Sequence, residues 1–355
     1  MNTLRLYIVR EVLIGSLIAA LVLVTLFDLF TFSDELKHLN KGHYGMRQIL
    51  LFLALTTPTL LYEVIPSAAL LGSLSVVGGM ANNREIVAMR AAGLSTGWII
   101  RSMMLAGLVL VLMSTAIGEL VAPNCERAAQ LLKSEALNDN VAMHTRWGMW
   151  LREGNNFINV RKIEDDSSLT DVRIYEVNPQ HQVTAFNHAE HAEFIGNQQW
   201  RLHNLQSTQL DEKQITSRAV AEKVLHSNIQ TDLLKVAVVS ADNQSLTDLF
   251  QYIQFLRQNN QKSQRYEVAF WSRLINPLVT FVMLMVSAPL VIGIGRGSSS
   301  GARILTGVVI GEMFDAFDKM TGHVGLIYEL NPIAVAVFPS LLVFLAALYT
   351  LRRTL

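Results

Sequence analysis

The side chains most capable of chemistry in this sequence are ionisable residues embedded in apolar segments. Glu312, Asp315 and Lys319 are spaced i, i+3 and i+7, so a helix would place them on one face, with Asp315 and Lys319 close enough to pair. Asp318 lies beside them, and Glu63 has a similar setting earlier in the chain. Charges inside a membrane are costly, so they face a cavity, a partner or one another. Two interpretations stay open: a polar path or partner contact, and an ion pair that stabilises the helices.

A second set of residues places positive charge beside aromatic surface. Its basic members are Lys37, Lys41, Arg127 and Lys133, and its aromatic members are Phe27, Phe30 and Phe32. Cations at the outer end of a membrane segment could attract an anionic amphiphile, or they could be solvated flanking charges. Lys+Arg and Asp+Glu number 29 each, so overall charge gives no support to a nucleic-acid partner.

A third candidate is the polar segment 82–93, which lies between two apolar runs. Asn82 and Glu85 have capping-box spacing, and Gly93 stands where a helix would stop. The short helix between them mixes charged and apolar residues: Arg84, Glu85, Ile86, Val87, Met89 and Arg90. Such a helix could lie among lipid headgroups or dock into a partner's groove, and both alternatives remain open on geometry alone.

No catalytic residue, metal or cofactor is predicted. Cys125 is the single cysteine, which excludes an intramolecular disulfide and any multi-cysteine metal site. His188 and His191 have a spacing seen in metal sites, but side chains three apart on a strand point to opposite faces. The phosphate-binding pattern GxxxxGK[ST] is absent, and the glycine-rich loop 293–301 lacks its lysine. If the protein uses ATP, another chain is expected to hydrolyse it.

Composition indicates the elements that must hold these residues. The chain has 355 residues, of which 51% are hydrophobic and 16% charged, with a mean hydropathy of +0.31. An average soluble domain has about 25% charged residues, so a membrane protein is predicted. Apolar runs long enough for a bilayer predict six membrane spans, of which the fifth is the most polar: 12–33, 48–80, 98–122, 269–294, 304–325 and 331–351.

The basic residues near the span ends are unequally divided between the two sides. One side has nine arginines, namely Arg5, Arg10, Arg84, Arg90, Arg101, Arg296, Arg303, Arg352 and Arg353. The short loops of the other side have Lys37, Lys41 and Arg47. The positive-inside rule therefore predicts that both termini are cytoplasmic and that residues 123–268 form one extracytoplasmic insertion.

That insertion reads as a β-rich domain. Short β-branched and aromatic runs alternate with turn signals, including a predicted hairpin around Gly196 and Asn197. The spacing favours a sandwich or jellyroll-like fold, followed by a connecting helix over 245–262 that Ser245 caps. Leu246, Leu249, Phe250, Ile253 and Leu256 are expected to share one face of that helix. The predicted layout is 1–122 with three spans, 123–268 outside, and 269–355 with three more.

Four motifs make the chain resemble a known family, the lipopolysaccharide export permeases LptF/LptG, and within it the LptG subfamily. They are 83–94 (NREIVAMRAAGL), 116–123 (AIGELVAP), 148–157 (GMWLREGNNF) and 200–202 (WRL). Their order and spacing cover essentially the whole chain. The layout of three spans, a β-rich domain and three spans is also similar.

The resemblance implies a function and a set of partners. Such permeases extract lipopolysaccharide from the outer leaflet of the bacterial inner membrane and pass it through periplasmic jellyroll domains toward the outer membrane. They pair a permease with its sister, here LptF, on two copies of the ATPase LptB, and deliver the lipid to LptC. It further implies that 84–93 is the coupling helix, with Glu85 its acidic residue, and that Lys37 contacts lipid phosphates. Arg127 and Lys133 approximate a basic position after the third span.

Two other function classes compete with this one. A mechanotransmission permease also has a large outside domain and an ATPase partner but moves no substrate through its spans, and it usually has four spans. An ion-coupled carrier or intramembrane enzyme would use Glu312, Asp315 and Asp318.

Overall fold

The fold was analysed in a computed structural model of the full chain. The structure describes residues 2–137, 149–163, 168–178, 180, 182–196, 198–210, 214–227, 240–259, 261–294 and 300–354. Parts of the glycine-rich loop 293–301, and Asn197 of the predicted hairpin, lie outside the described residues.

Helices make up most of the described chain. The first group is α1 Asn2–Glu35, α2 Met46–Asn82, α3 Glu85–Ala91, α4 Thr96–Ala116 and α5 Ala122–Leu137. A 3-10 turn at Leu36–His38 follows α1, and a π-helical segment at Ile117–Val121 joins α4 to α5. The second group is α6 Leu246–Gln258, α7 Gln264–Ile294, α8 Ser300–Ile327 and α9 Pro332–Thr354.

Five helical segments in the described chain are long and apolar enough to cross a membrane. They are Asn2–His38, Met46–Asn82, Thr96–Ser134, Gln264–Val291 and Pro332–Arg353. Each coincides with one of the six predicted spans to within three residues at any point where the predicted span extends beyond it. The remaining predicted span, the fifth at 304–325, lies in α8, which has 28 residues and would span about 42 Å at 1.5 Å per residue. Its composition is too polar for the same assignment because Glu312, Asp315, Asp318 and Lys319 interrupt it.

The chain divides into two compact units. Unit 1 comprises Met1–Lys37, Leu53–Glu126 and Gln264–Leu355, and unit 2 comprises His38–Phe52 and Arg127–Ser263. Unit 2 thus includes residues 38–52, which the predicted layout assigned to the membrane domain 1–122. The backbone explains this grouping, because the His43 amide donates to the Ala136 carbonyl at 2.6 Å.

Unit 1 is held by close helix packing around an apolar core. Leu70, Leu74, Met103 and Met283 are among its fully buried residues. Glycine lets α1 and α2 touch through their backbones, since a Cβ on Gly72 would lie 2.3 Å from the Ser16 amide nitrogen. Small residues at such crossings stabilise membrane helix pairs by van der Waals contact rather than by the hydrophobic effect.

Unit 2 contains a six-stranded antiparallel sheet. Its strands are β1 Met149–Glu153, β2 Asn156–Ile163, β3 Leu169–Val177, β4 Val183–Gly196, β5 Gln199–Leu210 and β6 Ile215–His226. Each strand pairs with the next in the chain, and the predicted hairpin is the turn between β4 and β5, where Phe194 faces Trp200. The prediction of a β-rich insertion is confirmed. The described strand order is that of a meander, without the crossed order of a jellyroll.

At one point along the strands, the alternation of side chains between the two faces of the sheet is interrupted, which we call the phase change. Asp171 in β3 and Asn204 in β5 have left-handed backbones, with φ of 55° and 52°. On either side of this level the buried alanines of β4, Ala189 and Ala192, are three residues apart instead of two or four. A non-glycine residue at positive φ turns the backbone as a bulge does, so strict alternation is lost there.

Helix α6 begins as predicted and ends earlier. Ser245 is its N-cap, and its Oγ accepts from the Asp248 amide at 3.1 Å. Leu249, Ile253 and Leu256 are buried, as expected for one face. Phe250 is instead 51% exposed, so its placement on that face was wrong.

Candidate functional site

The short helix α3 joins α2 to α4 through well-defined backbone turns. Its C-terminal end is a Schellman motif, because the Gly93 amide donates to the Arg90 carbonyl at 3.0 Å and the Leu94 amide to the Met89 carbonyl at 3.1 Å. Gly93 has φ of 87°, which explains why glycine stands at this stop.

The predicted start of this helix was wrong. Asn82 is the last residue of α2 rather than a cap, and its Oδ1 accepts from Arg303 Nη1 at 3.3 Å. The residue that precedes α3 is Arg84, in the left-handed region with φ of 61° and no side-chain cap. The helix therefore has seven residues, Glu85–Ala91, instead of about ten. A capping-box spacing failed here because α2 continues through the position where the cap was expected.

The side chains of α3 divide into an anchoring face and an exposed face. Met89 is buried in the core of unit 1, and Ile86 packs against that core. Val87 is 62% exposed, and Arg84 and Arg90 are exposed as well. Glu85 lies between the two faces, with one carboxylate oxygen 3.1 Å from the donating hydroxyl of Tyr7 in α1. Helix α3 is thus packed on the core of unit 1 by one side, and its other side is exposed.

The four basic residues predicted to meet a lipid differ in their engagement. Lys37 of unit 1 pairs with Asp34 at 2.6 Å, with both side chains more than 70% exposed. In unit 2, Lys41 is exposed, Arg127 forms an ion pair with Asp248, and Lys133 lies over the Phe52 ring at 4.9 Å. Arg127 and Lys133 are therefore held in contacts within unit 2.

The aromatic residues of α1 are unequally exposed. Phe30 is 61% exposed, whereas Phe27 and Phe32 are half-buried. Phe30 continues an exposed apolar stripe that runs along α1 and includes Leu17, Leu21, Val22 and Leu29. This surface can take lipid chains or a second membrane protein.

The ionisable residues of α8 are brought together as predicted. Lys319 Nζ lies 2.9 Å from Asp315 Oδ2, and these side chains are 66% and 52% exposed. The charges of Glu63 on α2 and of Glu312 also act on Lys319. The proximity of Glu63 was not predicted, because sequence spacing carries no information on which helices meet.

Sequence reasoning missed a buried polar contact between α7 and the π-helical segment. Arg273 has a 5% exposed side chain, and its Nε lies 2.8 Å from Glu119 Oε1. Its guanidinium also donates to the Gly118 carbonyl and lies 5.1 Å from the centre of the Tyr62 ring. The available signals were Glu119 within an apolar stretch and Arg273 at the start of another.

The two histidines considered for metal binding lie on the same face of the sheet. His188 Nε2 is 2.8 Å from Asp171 Oδ1, whereas His191 faces the ring of His203. The argument that they point to opposite faces was wrong, because the phase change at Asp171 and Asn204 lies between them. Across the part of the chain described above, no group of three or more His, Cys, Asp or Glu residues is placed to hold a metal.

Comparison with known proteins gives one family. The model of the family described as lipopolysaccharide export system permease LptF/LptG matches residues 6–353. The lipopolysaccharide export system permease protein LptG of Escherichia coli strain K12 is 30% identical over 349 residues, covering 98% of this chain and 97% of its own length. The LptG of Haemophilus influenzae strain Rd is 31% identical over 355 residues, covering 99% of each chain.

Proposed function

The chain belongs to the LptF/LptG family and is a multi-pass permease subunit of the lipopolysaccharide export system, and from this premise we propose its substrate path and partners. It extracts lipopolysaccharide from the outer leaflet of the bacterial inner membrane and passes it through its periplasmic domain to a bridge leading outward. It pairs with the sister permease LptF and delivers the lipid to LptC. Two copies of the ATPase LptB hydrolyse the ATP.

The proposed coupling step rests on a single observation: α3 is attached to unit 1 by one face and exposes the other. A helix that transmits force needs a rigid connection to the spans and a free surface for its partner. Met89 and Ile86 supply the connection, and Val87 with Arg90 supplies the surface. Closure of the ATPase pair then pushes α3, and α2 and α4 transmit the movement because α3 is joined to both through short turns.

Replacing Glu85→Lys tests this docking. The change reverses one charge at the edge of the exposed face, and like charges brought together at an interface cost several kcal/mol, so co-purification of the ATPase should fall at least about tenfold. The measurement is ATPase recovered per permease from solubilised membranes, together with lipid release on addition of ATP.

Tyr7→Phe is the matched control. It removes the hydrogen bond to Glu85 without changing any charge, and it should leave ATPase recovery near wild type. Unchanged recovery and unchanged lipid release in Glu85→Lys would reject docking through α3. Equal losses in the two variants would show that Glu85 only tethers α3 to α1.

Lipid capture is proposed at the outer end of α1, where charge and apolar surface occur together. The exposed Lys37–Asp34 pair is weak because water screens it, so Lys37 can exchange Asp34 for a lipid phosphate. Phe30 offers exposed apolar surface for acyl chains on the same helix. In unit 2, the buried side chains of Leu151, Ile158, Val172, Trp200 and Leu202 line a small apolar cavity against the sheet.

Lys37→Glu combined with Lys41→Glu tests the charge. A basic residue near a membrane surface contributes about 1 kcal/mol toward an anionic lipid, so the loss of two should lower photocrosslinking of lipopolysaccharide by at least roughly thirtyfold. Arg47→Glu, an exposed change of the same sign at the start of α2, should reduce it much less. Equal crosslinking in the double variant and wild type would exclude electrostatic capture by these lysines.

A further inference from the structure

An open groove runs between α1, α4 and α7 in unit 1. Its volume is about 420 Å³, and it is lined by Arg5, Arg101, Met104, Leu105, Leu108 and Phe281. The four α4 residues are spaced i, i+3, i+4 and i+7, so they form one stripe about 10 Å long at 1.5 Å per residue. Arg101 is at the N-terminal end of that stripe, Arg5 of α1 is the second basic residue of the lining, and the remaining lining is apolar.

The groove is shaped for a hydrocarbon chain. Its volume is many times the ~30 Å³ share of a water molecule, and its apolar part, lined by Met104, Leu105, Leu108 and Phe281, offers water no side-chain hydrogen-bond partners. Leu105 and Leu108 are 40% and 47% exposed and belong to the membrane-spanning segment Thr96–Ser134. At this level of a bilayer the surrounding medium consists of lipid chains, so an acyl chain fills such a groove without displacing water.

The two arginines make the mouth of the groove cationic, with Arg5 half-buried and Arg101 exposed. Among the residues that the structure describes, Arg5 Nε is buried without a hydrogen-bond partner, and its guanidinium carbon lies 5.8 Å from the centre of the Trp98 ring. An aromatic face attracts the cation but accepts none of its in-plane hydrogen bonds. In the described part of the chain, no carboxylate forms an ion pair with Arg5 or Arg101. A buried guanidinium nitrogen without a partner is costly, and phosphate is the anion that the planar donors of arginine match best.

We propose that this groove is a binding site for an anionic glycerophospholipid, whose phosphate is held by Arg5 and Arg101 and whose acyl chain lies along Met104, Leu105, Leu108 and Phe281. Both arginines are on the side that carries most of the basic residues, which the positive-inside rule assigns to the cytoplasm. The site thus takes a lipid of the inner leaflet, opposite to the leaflet from which the cargo is extracted. Its occupant seals the helix junction and is not transported.

Native mass spectrometry of the full permease assembly tests the site. The assembly is reconstituted in bilayers of equal parts phosphatidylglycerol and phosphatidylcholine and then released in mild detergent. The wild type should retain phosphatidylglycerol over phosphatidylcholine by roughly thirtyfold, the preference expected from two basic residues near a membrane surface. Arg5→Gln with Arg101→Gln should reduce the ratio to that of the bilayer.

Two further variants separate charge from shape. Leu105→Trp fills the groove while both arginines remain, and it should release the lipid as well. Arg352→Gln with Arg353→Gln removes two exposed arginines at the end of α9 and should retain it. The proposal is overturned if the wild type shows no preference between the lipids, if the control loses as much lipid as the groove variants, or if a photoreactive residue at Leu108 crosslinks a protein chain instead of lipid.

Discussion

At the scale of single residues, Asp171 is the polar centre of the β-domain. His188 Nε2 lies 2.8 Å from Asp171 Oδ1, and Arg173 donates from Nε and Nη2 at 3.1 Å each. Partial burial acts to raise the pKa of Asp171, but the hydrogen bonds from His188 and Arg173 outweigh it, so the pKa lies below its ordinary value. The left-handed backbone at Asp171 is thus held in place by an ionised carboxylate.

Asp171→Asn should destabilise the sheet in a pH-dependent way. Because the folded-state pKa is depressed, the carboxylate contributes stability above the unfolded-state pKa of about 3.9, and this is lost as pH falls through the folded-state pKa. At pH 7 the loss should be about 1.5–3 kcal/mol, the contribution of a hydrogen bond to a charged group. Hydrogen exchange of the β3 and β4 amides in the full chain measures it.

Glu193→Gln provides the control for that comparison. The Glu193 carboxylate lies 4.0 Å from His203 and its side chain is 55% exposed, so its removal should change stability by less than about 1 kcal/mol. Two results would contradict this account: wild-type hydrogen-exchange protection of Asp171→Asn at pH 7, or a loss of protection that is unchanged below pH 3. Either result would mean that the ionised carboxylate does not stabilise the left-handed backbone at Asp171.

At the scale of elements, helices and their ends were predictable where the signal is local. Apolar runs predicted the five membrane-spanning helices, and Gly93 and Ser245 marked a helix end and a helix start because each acts on backbone atoms a few residues away. Asn82 was wrongly predicted to cap α3, because the continuation of α2 through this residue depends on tertiary packing. The phase change at Asp171 was not predictable, since non-glycine residues rarely adopt a positive φ.

The site was predictable to a similar degree. The spacing of Asp315 and Lys319 within one helix predicted their ion pair, which the structure confirms. Contacts between different helices have no comparable spacing pattern in the sequence. Arg273 and Glu119 are 154 positions apart, and the π-helical segment that presents Glu119 has no sequence signature of its own.

The Arg273–Glu119 contact leads to a prediction about the joint between α4 and α5. Arg273→Met should leave the Glu119 carboxylate without its cation, at a cost of about 3–5 kcal/mol for a broken buried pair. Removing both charges with Arg273→Met and Glu119→Met should recover most of that loss, because two apolar side chains leave no unpaired charge. The thermal unfolding midpoint of the detergent-solubilised protein measures each change.

Two results would contradict this account of the joint. A double variant as unstable as Arg273→Met alone would mean that packing of the long arginine stem on Tyr62, rather than charge pairing, stabilises the segment. A single variant as stable as the wild type would mean that the pair contributes nothing. The first result would also predict that Arg273→Lys fails to rescue stability.

At the scale of the whole molecule, the ionisable face of α8 separates a permease driven by an ATPase from an ion-coupled carrier. A permease driven by an ATPase partner needs no titrating group in its spans, whereas an ion-coupled carrier does. The exposure of Asp315 and Lys319 on a long helix fits a surface that meets water or another subunit. Their pair then only keeps two charges satisfied, and an exposed pair contributes at most about 1 kcal/mol.

Neutralising that face gives the discriminating measurement. Glu312→Gln, Asp315→Asn and Asp318→Asn are combined with Lys319→Gln, so that no cation is left unpaired. ATP-driven release of lipopolysaccharide from proteoliposomes should fall by no more than about fivefold, which corresponds to the ~1 kcal/mol of an exposed pair. A protonophore should have no effect on the wild type or the variant. Loss of release in the variant, together with protonophore sensitivity in the wild type, would assign the energy source to ions. Release that survives both treatments leaves the force transmitted through α3 as the step that drives export.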